Sequence, residues 1–126
     1  MLLLDTHIYL WFVNGDTPLS KTLNEEIQTC EDVFVSVATF WELAIKNSLG
    51  KLELPSSIPH MMEDCSRLDF TILPINGMHL ARLKDLPWHH RDPFDRLIIC
   101  QAQEEHLTLI SADANVKRYD VKTFWK

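Results

Sequence analysis

Apolar positions along the chain alternate between short unbroken runs and sets with helical spacing. Leu2-Leu3-Leu4 is a short apolar run stopped by Asp5, and it reads as a first strand over residues 1–4. From Thr6 to Val13, the placement of Ile8, Leu10, Trp11 and Phe12 predicts a buried helix. Asn14-Gly15-Asp16 and Pro18 break the pattern, and Ser20 to Thr29 predicts a more exposed helix with Leu23 and Ile27 inward. Val33-Phe34-Val35 reads as a second strand. Ser36 suits the N-cap of a long helix whose apolar face is Val37, Phe40, Trp41, Ala44 and Ile45 and which ends near Gly50.

The second half repeats the alternation. Lys51 to Pro59, with its prolines and serines, predicts a loop, Met61 to Leu68 a short helix and Thr71-Ile72-Leu73 a third strand. Asn76 to Leu83 is helical in pattern and Asp85 to Arg91 a loop. Asp92-Pro93 opens a helix through Glu104, because Asp caps and Pro suits a first turn. Thr108-Leu109-Ile110 is the fourth strand, and Val121 to Trp125 holds a last one. Strands separated by helices imply right-handed crossovers. The expected fold is therefore α/β: a single domain over residues 1–126 with a mostly parallel five-stranded sheet flanked by helices on both faces.

Composition narrows the function classes. With 46% hydrophobic and 24% charged residues and only 3 Gly, the chain is ordinary for a folded domain. The opening apolar run falls far short of the roughly 20 residues that a membrane span needs, so no membrane association and a cytoplasmic location are expected. Cys30, Cys65 and Cys100 are widely spaced without a Cys-x-x-Cys, which signals neither a disulfide framework nor structural zinc. His79, His89, His90 and His106 likewise match no zinc spacing. The net charge of −6 argues against a protein that grips nucleic acid through bulk phosphate neutralisation.

The acids carry the chemistry. In open parallel sheets ligands bind beyond the carboxyl ends of the strands. Asp5 follows the first strand, Asp113 lies just past the fourth, and Asp92 and Asp95 occupy the first turn of the helix leading into that strand. Glu42 flanks the apolar stripe of the helix after the second strand. Taken singly, Asp5, Asp92 and Asp113 read as helix caps, Asp95 as a first-turn acid and Glu42 as a solvated surface acid. Sharing one rim changes the balance, since two carboxylates about 4 Å apart repel by roughly 4 kcal/mol at an effective dielectric of 20. Such a rim calls for a hard cation, Mg²⁺ or Mn²⁺, and that points to a metal-dependent phosphodiesterase.

Leu3-Leu4-Asp5-Thr6-His7, Ser36 through Lys46, Gly50-Lys51-Leu52, His90 through Ile98 and Ser111-Ala112-Asp113 together resemble the PIN domains of VapC toxins, in order and spacing along the whole chain. The resemblance implies that Asp5, Glu42, Asp95 and Asp113 are the catalytic quartet around one or two Mg²⁺ or Mn²⁺ ions, with Asp92 as an outer acid. It implies supporting hydroxyls at Thr6 and Ser111. His90, Arg91 and Arg96 are candidate substrate contacts. It further implies an endoribonuclease that cuts structured RNA as the toxin of a type II toxin–antitoxin system, silenced by a cognate antitoxin that places an arginine among the acids. The aromatic surplus at Trp11, Phe12, Phe40 and Trp41 adds an expected homodimer or antitoxin interface. A DNA nuclease of related fold and a PIN-like binding module without activity are the alternatives. A phospho-acceptor receiver domain is disfavoured, because Thr71-Ile72-Leu73-Pro74 lacks the acid it needs.

Overall fold

In the computed structural model, which describes residues 1–125, the sheet strands are β1 (Leu2–Leu4), β2 (Val33–Ser36), β3 (Phe70–Leu73), β4 (Thr108–Ile110) and β5 (Thr123–Phe124). All pair in parallel, in the order β3-β2-β1-β4-β5. The helices are α1 (Thr6–Asn14), α2 (Lys21–Thr29), α3 (Val37–Ser48), α4 (Ile58–Arg67), α5 (Gly77–Asp85) and α6 (Pro93–Glu105). A 3-10 turn, Val116–Arg118, precedes β5.

Parallel strands need helical crossovers, so both faces of the sheet are covered and the central strand is apolar throughout. Successive residues of β1 serve opposite cores. Leu4 packs with Ile8, Tyr9, Val35, Phe40, Leu43 and Met61 beneath α1 to α4. Leu3 packs with Ile98, Ile99, Leu109, Val116 and Tyr119 on the other face. The chain leaves β1 toward β2 on one side and returns to pair with β4 on the other, so the strand order reverses between β1 and β4. Crevices at the carboxyl ends of strands open at such a reversal.

Local signals explain most boundaries. Gly15 ends α1 in the left-handed conformation (φ 67°) and donates to the carbonyls of Trp11 and Phe12. Two expectations shift. Helix α4 begins at Ile58, inside the segment assigned to a loop: Ser57 caps it by accepting from the His60 N–H at 3.2 Å, and Pro59 fits the first turn, which needs no donor there. Helix α3 is turned from the predicted face. It buries Ala38, Thr39, Phe40, Glu42 and Leu43, while Trp41, Ile45 and Leu49 stand exposed one turn apart. Of the other aromatic residues, Phe40 is buried, and Trp11 and Phe12 are half-buried against Trp125 and Phe70. Cys30, Cys65 and Cys100 are free thiols. Among the described residues, no helix is long and apolar enough to cross a membrane.

Candidate acidic metal centre

The carboxyl ends of β1 and β4 lie side by side, and each delivers an acid. Asp5, directly after β1, caps α1 by accepting from the Ile8 N–H at 2.9 Å and also accepts from the Ser111 hydroxyl. Its cap role and its place at the sheet edge therefore coexist. Asp5 is 8% exposed. Burial raises its pKa above the ordinary carboxylate value, with the nearby Asp113 charge adding to that and the Ser111 and Ile8 donors opposing it. Asp113 lies past β4, where its N–H donates to the Ser111 hydroxyl at 3.1 Å and its Oδ1 accepts from the Asn115 N–H at 2.8 Å. Burial works to raise its pKa, but the Asn115 N–H and the His90 ring outweigh it and hold Asp113 below the usual range.

Helix α6 brings the third acid. Asp92 caps it, accepting from the N–H groups of Phe94 at 2.8 Å and Asp95 at 3.1 Å, and this leaves Asp95 in the first turn facing the other acids. Burial, then the charges of Asp92, Asp5 and Glu42, push the Asp95 carboxyl up to about 7, against a smaller lowering by His90.

Glu42 is not the solvated acid that its sequence position alone suggests. It is 2% exposed. The Thr6 hydroxyl donates to its Oε1 at 2.7 Å, with the Thr39 hydroxyl 3.2 Å from that of Thr6, and Lys46 Nζ meets Oε2 at 2.6 Å. The hydrogen bond to Glu42 raises the Lys46 pKa; burial opposes this, while the charges of Glu42, Asp92 and Asp95 add to it. Lys46 is thus a resident cation at the edge of the acids.

The three basic residues expected near a substrate separate. His90 enters the cluster: its Nε2 lies 2.8 Å from Asp113 Oδ2 and 3.0 Å from Asp95 Oδ2. Arg91 is exposed beside it. Arg96 points the other way and is 3% exposed, its guanidinium bound to the carbonyls of Leu86, Pro87 and His90. Main-chain carbonyls, the Tyr119 hydroxyl and the Trp88 ring surround it in place of solvent, so it supports the loop and is not presented to a ligand.

Sequence reasoning missed Thr39, Lys46 and Tyr119. The first two carried a signal. Thr39 and Lys46 stand one turn before and one turn after Glu42, on its own helical face. Tyr119 carried none, because its partners lie about thirty residues away in the chain.

The acidic rim differs from the surface clefts, which include one lined by Phe12, Ile27, Cys30 and Phe70 and another lined by Tyr9, Val13, Met61 and Arg67. The acids, not a concave apolar pocket, define the candidate site.

Comparison with known proteins places the fold in a family. The family model described as PIN domain matches residues 2–122. No curated protein matches the chain. Among solved structures, FitAcB from Neisseria gonorrhoeae is similar, with a TM-score of 0.70 and 21% identity, covering 98% of this chain and 96% of that one. VapBC2 from Rickettsia felis, bound to a DNA fragment from its promoter, superposes with a TM-score of 0.72 at 17% identity, covering 98% and 96%. A toxin–antitoxin complex from Klebsiella pneumoniae gives 0.69 at 17% identity, covering 99% and 97%. At these identities the likeness is one of fold.

Proposed function

The chain belongs to the PIN-domain family, and from that premise we propose that it is a Mg²⁺- or Mn²⁺-dependent endoribonuclease acting as the toxin of a toxin–antitoxin pair. The observation that carries the reading is the convergence of Asp5, Glu42, Asp95 and Asp113 at the reversal between β1 and β4, close enough that Asp5 and Glu42 raise the pKa of Asp95. Half-buried acids that repel one another are costly without a cation. An all-oxygen donor set suits a hard divalent ion, so the residues present fit the group the family implies.

Asp5, Asp95, Asp113 and Glu42 would hold the ion, with Asp92 adding charge from outside. When bound, the ion supplies Lewis-acid activation of the phosphodiester and of the attacking water. The chain's own residues do the positioning. Ser111 ties together the loops that carry Asp5 and Asp113. Thr6 fixes one oxygen of Glu42 and Lys46 the other, so this carboxylate stays buried and oriented. Arg91, exposed next to His90 in the chain, would meet a substrate phosphate.

The toxin role, with an antitoxin and a homodimer as partners, draws support from the fold shared with toxin–antitoxin complexes and from the exposed stripe Trp41, Ile45 and Leu49 along α3 and its C-cap. An RNA cleavage assay with Mg²⁺ or Mn²⁺ tests the activity, with single-stranded and duplex DNA alongside. Cleavage of RNA should stop on chelation and in folded Asp5→Asn and Asp95→Asn variants. Activity that survives all three, or that is confined to DNA, refutes the reading.

A further inference from the structure

The segment joining α5 to α6 has no helical or sheet hydrogen bonds of its own, yet two buried polar side chains are committed to it. Arg96, from α6, donates through one terminal nitrogen to the carbonyls of Pro87 at 2.9 Å and His90 at 3.3 Å, and through the other to that of Leu86 at 3.2 Å. The Trp88 ring lies 3.6 Å from the same guanidinium. The Tyr119 hydroxyl oxygen accepts from the N–H groups of His89 at 3.0 Å and His90 at 2.8 Å. Arg96 and Tyr119 are 3% and 6% exposed. A guanidinium taken out of water is costly unless it is hydrogen-bonded, and here both terminal nitrogens donate to one short loop whose last held residue is His90.

The ring of His90 is fixed as well. The Asp92 N–H donates to its Nδ1 at 3.2 Å, which requires a lone pair there and places the ring proton on Nε2. That Nε2–H faces Asp113 Oδ2 and Asp95 Oδ2. One ligand atom from each of His90, Asp95 and Asp113 lies within 4.8 Å of the others, which by distance alone would suit a three-ligand metal site. The tautomer argues otherwise, because a nitrogen carrying a proton offers no lone pair to an ion. Asp92 therefore shapes the centre twice, through its charge on Asp95 and through its main-chain N–H on His90.

We infer that His90 is a positioning residue: its Nε2–H fastens Asp95, carried by α6, to Asp113, carried by the segment after β4, and so presets both carboxylates for a divalent cation without itself ligating it. The inference rests on the metal-dependent reading above. Outer partners of this kind, which hydrogen-bond the ligating groups, typically contribute roughly 10- to 100-fold in metal affinity.

Calorimetric titration of the full chain with Mn²⁺, repeated with Mg²⁺, tests it, with the thermal midpoint in chelator as a check on folding. His90→Ala should weaken Mn²⁺ and Mg²⁺ binding alike, by roughly 10- to 100-fold. His90→Gln should recover most of the loss, because its amide N–H reaches the place of Nε2–H. His90→Asn, whose shorter amide reaches only the place of Nδ1, should behave like Ala and takes its place if Ala unfolds the loop. Tyr119→Phe, which removes the acceptor for the loop N–H groups, should fall between parent and Ala. The inference is overturned by a Gln variant as weak as Ala or Asn, by a loss confined to Mn²⁺ as a nitrogen ligand would produce, or by tighter binding on removal of the ring as a plug would produce. A parent protein that binds neither ion overturns the metal-dependent reading and this inference together, whereas a parent that binds and a His90→Ala variant that binds equally well overturns only the role of His90.

Discussion

Replacing Asp95 by Asn should stabilise the metal-free protein at alkaline pH, and by an amount the site itself sets. The Asp95 side chain retains 23% of its exposure, and burial together with Asp92, Asp5 and Glu42 moves its carboxyl from 3.8 to about 7. Below pH 4 the folded and unfolded chains both hold that proton. Between pH 4 and 7 the unfolded chain has lost it and the folded chain has not, so folding becomes less favourable as pH rises, and the loss is complete above 7. A difference of about three pH units at ~1.4 kcal/mol each corresponds to about 4 kcal/mol. Asn keeps an oxygen for the His90 N–H and cannot ionise, so it removes this loss. Urea unfolding in the presence of a chelator, followed by tryptophan fluorescence at pH 4 and pH 8, measures the effect. The variant should match the parent at pH 4 and exceed it by about 4 kcal/mol at pH 8. A variant no more stable than the parent at pH 8, or equally stabilised at both values, would show that Asp95 does not share a repelling cluster.

Mn²⁺ or Mg²⁺ should raise the melting temperature of the parent more than that of an Asp5→Asn, Asp95→Asn double variant, since binding to the folded state alone stabilises it; equal shifts in scanning calorimetry would mean that the acids share no ion. Thr6→Val keeps the shape of the side chain but strips the 2.7 Å donor from buried Glu42, and should cost about 1–3 kcal/mol in urea unfolding at pH 7. A cost near zero would mean that Glu42 is satisfied without Thr6. Replacing exposed Trp41 and Leu49 together by Ala should lower the sedimentation coefficient of the chain from that of a dimer to that of a monomer, with the helical circular dichroism signal of the fold retained. An unaltered sedimentation profile would remove the α3 stripe from the interface.

Much of the fold was legible in the chain because its determinants are local. The apolar runs at Leu2–Leu4, Val33–Val35 and Thr108–Ile110 are short and bounded by polar or capping residues, and each became a strand. Asp5, Ser36 and Asp92 carry cap chemistry in their own sequence, and all three accept hydrogen bonds from the first turns they precede. Parallel pairing followed from the alternation of strands and helices. Periodicity was a weaker guide where two apolar faces compete. On α3, Trp41, Ala44 and Ile45 read as inward, but packing against the sheet selected Ala38, Phe40 and Leu43 and carried Thr39 and Glu42 inside with them.

What the chain alone left open is what depends on partners far away in sequence. Glu42 looked like a surface acid because its neutralising contacts come from Thr6, on another helix, as well as from Lys46 on its own. Arg96 looked free to meet a phosphate because nothing local shows that Leu86, Pro87 and His90 would turn their carbonyls toward it. The raised pKa of Asp95 is likewise a property of the assembled rim, since Coulomb repulsion among carboxylates matters only once folding has brought them within a few ångströms and removed the water between them.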